Sequence, residues 1–562
     1  MRTFRLFALI AFALAPAFVA RHMAQDAPEP AKKVDTAELL QQWRKATGKE
    51  REKLAPALLQ ADPAELQQVI AKLTFTPREA GLHELKTNCP DGHERPYWVN
   101  LPPDYDPARA YPLVVCLHGG VSGTPLYGRR MGKEVSQAPG EYALTSIRDH
   151  IPAQHRGAAI MLGCSAGVPE THAGAVWWAL EGQRNVLHFI AETKRQFNVD
   201  DNAVFITGHS DGASGTFGFA YRMPDTFAGF FAQLGHPTVA ALDDSPVWLE
   251  NLKGLDIYAF NGAKDQLYPS ARVTPVYDQA NALGAKIRYK SYDDLGHDNR
   301  PVLESEVARF FTETVTKTRR EALPASIDWS CTKPERGRRA WLEVAKLGDL
   351  GQANAAPDTA EIVVPGLRVR LGVQLRRETD PPTVEIIVKG SVAETIGVKV
   401  DDQIVKLDET AIGKIDDLLA ALEKKQPGDE FTLTVKREGK ETALKGTFPK
   451  ETTPQKAKPL TARVIGKYEP GKIELTVRNT ATIKLHLCPA MLGKDGSLKV
   501  IINGEDAQVK VPAASSEYLL RQFDRTADRT LPFDRELVID VAALLGNDGP
   551  GTPDKDESDD DF

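Results

Sequence analysis

Gly208-His209-Ser210-Asp211-Gly212 spells G-x-S-x-G between an apolar run, VFIT, and a stretch rich in glycine and alanine. A tight strand-to-helix turn of this kind needs small neighbours and lifts the serine hydroxyl clear of a sheet. It also sets Ser210 at a helix N-terminus, where the dipole favours developing negative charge. Serine alone is a poor nucleophile, so the chemistry demands a histidine base and an acid to orient it. Asp265 follows the strand-like LDIYAF, and His297 lies in DDLGHDN after AKIRYKSY. Both positions then fall at C-terminal strand ends, the side on which open α/β sheets bind ligands. An oxyanion also needs backbone N–H donors. The run LVVCL ends in His118-Gly119-Gly120, so the amides of Gly120 and of Asp211, just after the serine, are the expected pair.

These residues can meet only if the elements between them build one sheet. From Gly81 the chain alternates: PYWVNL and PLVVCL as strands, IRDHIPAQ as helix, GAAIMLGCS as buried strand, GQRNVLHFIAETKRQFN as amphipathic helix, NAVFITG as strand, ASGTFGFAYRMP as helix. LDIYAFNG and AKIRYKSY follow as strands and EVARFFTETVTK as a final helix. Strands alternating with helices predict an α/β domain, a mostly parallel sheet with helices on both faces, over residues 79–320.

The whole chain has 562 residues, too many for one core, and predicts roughly three to four domains. Hydrophobic residues make up 42% and charged residues 26%, with a net charge of -7, so no general basic surface exists for nucleic acid. The first residues, MRTFRLFALIAFALAPAFVA, read as a signal peptide over 1–20 with a cleavage site near Ala17 or Ala20; an uncleaved anchor is the alternative. No later run is long enough to span a bilayer. Export to the periplasm or the medium is the expectation. Residues 35–78 show helical spacing, read as packing or spacing rather than chemistry. The five cysteines show no CxxC or metal-ligand spacing, so neither a zinc site nor a disulfide scaffold is indicated, and Cys116 reads as a buried hydrophobe. The end, DKDESDDDF, makes 546–562 an acidic, solvated tail.

On PPDYDPARAYPLVVCLHGG, NVDDNAVFITGHSDGASG, NGAKDQLYP and LGHDN, residues 79–320 resemble the α/β-hydrolase family, in its phospholipase/carboxylesterase and feruloyl-esterase-like branch. The resemblance implies a catalytic triad of Ser210, Asp265 and His297, with acyl or aromatic esters as substrates, polysaccharide-linked ones among them. The departure is Asp211, an acid where many relatives carry a small or amide residue; its charge would repel anionic substrates. Trp177-Trp178 could wall the substrate pocket or, equally, pack in the core, and His236 could line the pocket. His118 and His209 read as holding their turns, and His150, His155, His172 and His188 as surface or core residues.

Further on, VRLGVQL, GSVAETIGVKVDDQIVKLDETAI and IDDLLAALEKKQPGDEFTLTVKREGK make residues 361–452 resemble a PDZ domain of the bacterial exported type. The resemblance implies that the amides of Leu371, Gly372 and Val373 hold a peptide's terminal carboxylate while the peptide adds as a strand. Arg370 reads as a surface arginine. Around this module, RRAWLEV on one side and KIELTVRNTATIKLHL and SLKVIINGEDAQVKV on the other predict one β-rich domain from 325–358 and 456–545, split by the insertion.

Together these readings predict an exported serine esterase working through an acyl-enzyme, with no cofactor and no metal. A peptide C-terminus or protein partner is expected at the PDZ module. The alternatives are a serine peptidase of prolyl-oligopeptidase type, against which stands the lack of propeller-like repeats before the catalytic segment, and a non-catalytic PDZ-containing adaptor on a hydrolase scaffold.

Overall fold

Residues 35–46, 48–121, 129–130, 133–134, 137–166, 176–243, 246–360, 362, 369–376, 379–449 and 459–546 are described by the structure, a computed structural model. The expected signal segment, His172 and the acidic tail from 547 onward lie outside the described residues. Three helices come first: α1 (Thr36–Lys45), α2 (Gly48–Leu59) and α3 (Pro63–Ala71). Asp35 and Asp62 cap α1 and α3 by accepting from backbone N–H groups of the first turn.

The central sheet follows. Its strands are β1 (Gly81–Asn88), β2 (Glu94–Leu101), β3 (Tyr111–Leu117), β6 (Ile160–Gly163), β7 (Val199–His209), β8 (Gly229–Gln233), β9 (Asp256–Gly262) and β10 (Lys286–Tyr292). A two-stranded ribbon, β4 (Arg129–Arg130) and β5 (Lys133–Glu134), stands apart from it. The order across the sheet is β1-β2-β6-β3-β7-β8-β9-β10. The first two strands are antiparallel, and all pairings from β6 to β10 are parallel.

Parallel strands covered on both faces should be apolar throughout, with alternate side chains entering different cores. In β3, Leu113, Val115 and Leu117 enter one core while Val114 and Cys116 enter the other. Helices α5 (Leu180–Gln196), α6 (Asp211–Arg222) and α7 (Ser270–Ala282) cover the first face through Phe189, Phe217 and Val273. Helices α4 (Pro139–Arg148) and α8 (Arg300–Phe310) cover the second through Leu144 and Val307.

The helix expected over IRDHIPAQ is displaced. It is α4, opened by Pro139 at its first turn and finished at Arg148; Pro152 cannot continue it, and Ala153–His155 is a single 3-10 turn.

Beyond residue 325 the chain is mainly β. Strands β11 (Ser326–Cys331), β12 (Arg338–Arg339) and β13 (Leu342–Leu347) come before residue 360. Residues 369–449 then form a separate core around Val384, Ile404, Leu418 and Leu433. It contains β14 (Val373–Leu375), β15 (Val384–Ile387), α9 (Val392–Thr395), β16 (Gln403–Leu407), β17 (Thr410–Ala411), α10 (Ile415–Glu423), β18 (Glu430–Arg437) and β19 (Lys440–Thr447). The remaining elements are β20 (Ala462–Glu469), β21 (Lys472–Arg478), β22 (Thr480–Leu487), β23 (Lys499–Ile502), β24 (Glu505–Asp506), α11 (Ser516–Thr526), β25 (Arg535–Asp540) and α12 (Val541–Leu544).

Two sheets join the flanking segments. One runs β11-β20-β21-β23-β24 and the other β12-β13-β22-β25, around a shared core that holds Trp329, Trp341, Val464 and Leu485. Both of these sheets therefore take strands from either side of residues 369–449.

Helix α11 packs Leu519, Leu520 and Phe523 against Leu40, Trp43 and Leu66 of the N-terminal helices. A buried charge cluster ties the loop after α11 to the central sheet. Asp528 pairs with Arg320 at 2.8 Å and Lys194 at 3.8 Å, and Asp201 pairs with Lys194 at 3.0 Å and Arg529 at 2.9 Å. All five cysteines are buried and unpaired. Among the described residues no helix is long and apolar enough to cross a membrane.

Candidate active site

Strand β7 runs straight into α6, and the reversal is made at Ser210, whose φ of 58° and ψ of -120° are unusual for a residue with a side chain. Such a conformation costs on the order of 1–3 kcal/mol and persists only when its surroundings enforce it. Two glycines do so. A Cβ on Gly212 would lie 2.2 Å from the Leu117 carbonyl oxygen, and one on Gly208 would lie 2.3 Å from the Gly212 carbonyl carbon. The Ser210 N–H donates to the Gln233 carbonyl at 3.0 Å, which fixes the turn on β8.

The end of β7 brings Ser210 against a residue from the β10–α8 loop. His297 Nε2 lies 2.8 Å from Ser210 Oγ, and His297 Nδ1 lies 2.9 Å from Asp265 Oδ2. Asp265 is buried just beyond β9, and its other oxygen, Oδ1, accepts from the Leu267 and Tyr268 N–H groups at 2.8 and 2.9 Å. With Nδ1–H donating to the carboxylate, Nε2 is left to accept the serine proton. Three residues from three strand ends thus form one hydrogen-bonded chain.

The His118-Gly119-Gly120 turn packs on the serine, since a Cβ on Gly119 would sit 3.1 Å from Ser210 Cβ. Gly120 has φ of 65°, a left-handed conformation that glycine adopts without strain. The His118 ring reaches the Gly119 carbonyl through Nδ1 at 3.0 Å, and His209 Nε2 reaches the His297 carbonyl at 3.1 Å.

Of the two readings of Trp177 and Trp178, the structure shows core packing: among the described residues neither lines the cavity beside His297. Trp177 is buried under the His118-Gly119-Gly120 turn and donates its indole N–H to the His118 carbonyl at 2.8 Å. Trp178 is buried against Gly218 of α6, and its carbonyl accepts from Arg222 at 2.7 Å. Both sit where α6 needs bulky cover.

His236 is buried beside Tyr268. Its Nδ1 accepts from the Thr238 N–H at 3.1 Å, and its ring is 6.1 Å from that of Tyr268, which in turn stands edge-on to His297 at 5.8 Å. Burial pushes the His236 imidazole down to about 4, so it is neutral at ordinary pH. His150 and His188 are engaged with the Ser146 carbonyl and the Thr87 hydroxyl, and His155 with the Thr312 hydroxyl.

Two site residues carry no sequence motif. Gln233 is 1% exposed; its Oε1 accepts from Asn299 at 2.9 Å and its Nε2 donates to the Thr207 hydroxyl at 2.8 Å. It links the serine strand to the loop that presents His297. Tyr268 is the other, its hydroxyl pushed up to about 12 by burial and by the charge of Asp211. A cavity of about 540 Å³ opens beside His297 on the α4 face, lined by Gly119, Tyr142, Ile147, His209 and Asn299 among others. No cluster of histidine, cysteine and acidic side chains suited to a metal occurs among the described residues.

In the separate module, Leu371 is buried and Gly372 has φ of 80°. Their carbonyls accept from Ala393 and Val388 N–H groups at 2.8 and 2.9 Å, and Val373 opens β14. Arg370 is exposed. Helix α10 touches α7 of the central sheet's cover through a Glu423–Arg272 pair at 2.8 Å.

No curated protein matches the chain. Among solved structures it is similar to a thermostable esterase at 20% identity, covering 42% of this chain and 63% of that one, with a TM-score of 0.34. It is also similar to an acylaminoacyl peptidase from Pyrococcus horikoshii, at 14% identity over 44% of this chain and 42% of that one, TM-score 0.33. A third is an S-formylglutathione hydrolase from Staphylococcus aureus, at 16% identity over 43% of this chain and 99% of that one, TM-score 0.31. The chain covers less than two thirds of the first of these structures. Residues 369–445 match the family model described as PDZ domain. That stretch of the chain, with its own core and its β14–β15 and β17-β16-β18-β19 sheets, is a PDZ domain.

Proposed function

We propose that the chain is an exported serine hydrolase of α/β-hydrolase type that cleaves carboxylic esters of small acyl groups. The observation that carries this reading is the unbroken chain from Ser210 Oγ through His297 to Asp265, with links of 2.8 and 2.9 Å. In the reaction, Ser210 Oγ attacks the ester carbonyl while His297 Nε2 takes its proton, and Asp265 stabilises the imidazolium that forms. The carbonyl oxygen becomes an oxyanion, received by the Gly120 and Asp211 amides. His297 returns the proton to the departing alcohol. Water, activated by the same histidine, then resolves the acyl-enzyme and releases the acid.

The PDZ domain would take a peptide C-terminus or an extended segment along β14 beside α10, with the amides of Leu371, Gly372 and Val373 at the carboxylate. The N-terminal signal-like segment supports export to the periplasm or medium.

The test is hydrolysis of p-nitrophenyl butyrate and methyl ferulate by the purified protein beside Ser210→Ala, with a fluorophosphonate probe on both. Loss of the nucleophile should lower turnover on the order of 10⁶-fold, to background, and abolish labelling. Turnover that survives in Ser210→Ala would place the chemistry elsewhere. An unlabelled, inactive wild type would favour the adaptor reading.

A further inference from the structure

The acid that follows the nucleophile is an unusual choice beside a site that must stabilise negative charge, and the structure gives it a task. The Asp211 carboxylate does not point away from the reaction. Its Oδ2 accepts the Val121 N–H at 2.9 Å, across the gap between the start of α6 and the turn that follows β3. That turn is held at two further points already described, the Trp177 indole on the His118 carbonyl and the His118 ring on the Gly119 carbonyl. The three contacts fall on the backbone of residues 118, 119 and 121, and the Asp211 contact ties the turn to the helix that begins at the serine. A Cβ on Gly119 would lie 3.1 Å from Ser210 Cβ, so the turn sits close against the serine, and a small shift of it moves the amides that would receive the oxyanion.

The same contact sets where the charge lies. Val121 is the residue after Gly120, so the carboxylate oxygen lies within about 7 Å of the Gly120 amide, given the reach of one residue. The first turn of α6 favours a carboxylate at this position. Tyr268, edge-on to His297, feels the same charge.

We infer that the Asp211 side chain is a positioning and specificity residue: it clamps the oxyanion turn through Val121, and its charge selects neutral or cationic acyl groups over anionic ones. This rests on the esterase reading. The two contributions separate by substitution. Asparagine keeps an acceptor for the Val121 N–H and removes the charge, whereas alanine removes both.

The experiment compares wild type, Asp211→Asn and Asp211→Ala on p-nitrophenyl butyrate and on the carboxylate-bearing p-nitrophenyl succinate. Asp211→Ala should lose at least tenfold in kcat on butyrate with little change in KM, and Asp211→Asn should recover most of that loss. The preference for butyrate over succinate in kcat/KM should fall about tenfold in Asp211→Asn, the order expected for one charge at this separation in a partly solvated cleft. In wild type that preference should shrink as KCl is raised, and in Asp211→Asn it should not respond to salt. A general loss of stability would leave the preference and its salt dependence untouched.

Equal kcat for the alanine and asparagine variants would overturn the clamp, and an unchanged butyrate preference in Asp211→Asn would overturn the selection. Should no ester be turned over, the second-order rate of Ser210 phosphonylation is compared instead, since it uses the same turn; equal rates in the two variants again overturn the clamp. A wild type that neither hydrolyses esters nor labels refutes the underlying reading, and the inference with it.

Discussion

Asp265→Asn is a nearly isosteric exchange, yet the hydrogen bonds around Asp265 make it one of the most damaging substitutions available. Oδ1 accepts from both the Leu267 and Tyr268 N–H groups, at 2.8 and 2.9 Å, while Oδ2 faces His297 Nδ1 at 2.9 Å. An asparagine must put its oxygen on the two backbone donors. Turning the amide over would set its NH₂ against two N–H groups and leave both unpaired, at about 1–3 kcal/mol each. The NH₂ therefore faces His297 Nδ1, which can only accept from it. The ring proton moves to Nε2 and points at Ser210 Oγ, so the base is lost while the geometry survives. In the chymotrypsin-type triad the corresponding exchange lowers kcat about 10⁴-fold, or about 5.5 kcal/mol of barrier. A comparable fall is expected here, measured as kcat on p-nitrophenyl butyrate and as the rate of fluorophosphonate labelling. Asp265→Ala, which leaves His297 free to adopt either tautomer, should be no worse than Asp265→Asn. An asparagine variant that keeps a tenth of wild-type kcat would refute the orientation argument.

Two predictions concern stability. Asp528→Ala leaves Lys194 and Arg320 buried with one carboxylate, Asp201, in place of two, and should cost about 3–5 kcal/mol in urea unfolding; a loss below about 1 kcal/mol would mean that the cluster does not hold the C-terminal β block to the sheet. Although burial opposes it, the charges of Lys194 and Arg320 hold the Asp528 carboxyl well below the usual range, so its contribution is complete above about pH 4 and disappears as acid titrates it. His486 is 1% exposed between Glu343 Oε2 at 3.0 Å and the Tyr518 hydroxyl at 2.9 Å, and burial, helped by Arg338, pushes it down to about 4. A histidine lowered on folding contributes fully above about pH 6.5 and loses that contribution toward pH 4, which amounts to about 2 kcal/mol by pH 5. The difference in unfolding free energy between pH 7 and pH 5 should therefore shrink by that amount in His486→Gln, and an unchanged difference would show that His486 takes its proton in the folded state.

What the sequence disclosed about this molecule depended on whether the signal was local. Ser210, Asp265 and His297 could be picked out because each follows a strand-like run, and strand ends on one side of a parallel sheet converge whatever joins them. The PDZ domain was visible for the same reason, as its elements are consecutive. Helix α4 begins several residues before IRDHIPAQ, at Pro139, which occupies the first turn, where a missing N–H costs nothing. Helix α7, which was missed, has Pro275 inside it. The partner of RRAWLEV could not be found nearby because β13 pairs with β22, where Leu342 faces Leu485 across the whole PDZ domain.

Trp177 and Trp178 misled because a pair of tryptophans beside a catalytic segment looks like a pocket wall in one dimension. In three, Gly215 and Gly218 of α6 let the helix come close to the Trp177 and Trp178 Cβ atoms, and both side chains are core. Gln233 was invisible because the bonds that give it meaning run to Asn299, 66 residues away, and to Thr207 on a neighbouring strand. A buried glutamine at the end of GFFAQ announces a polar partner without naming it. Here the partner is Asn299, in the loop that carries His297. The residues that would perform the chemistry were thus readable from their types and strand-end positions, whereas those that fix the distance between Ser210 and His297 belong to side-chain contacts between strands, which only the folded sheet can specify.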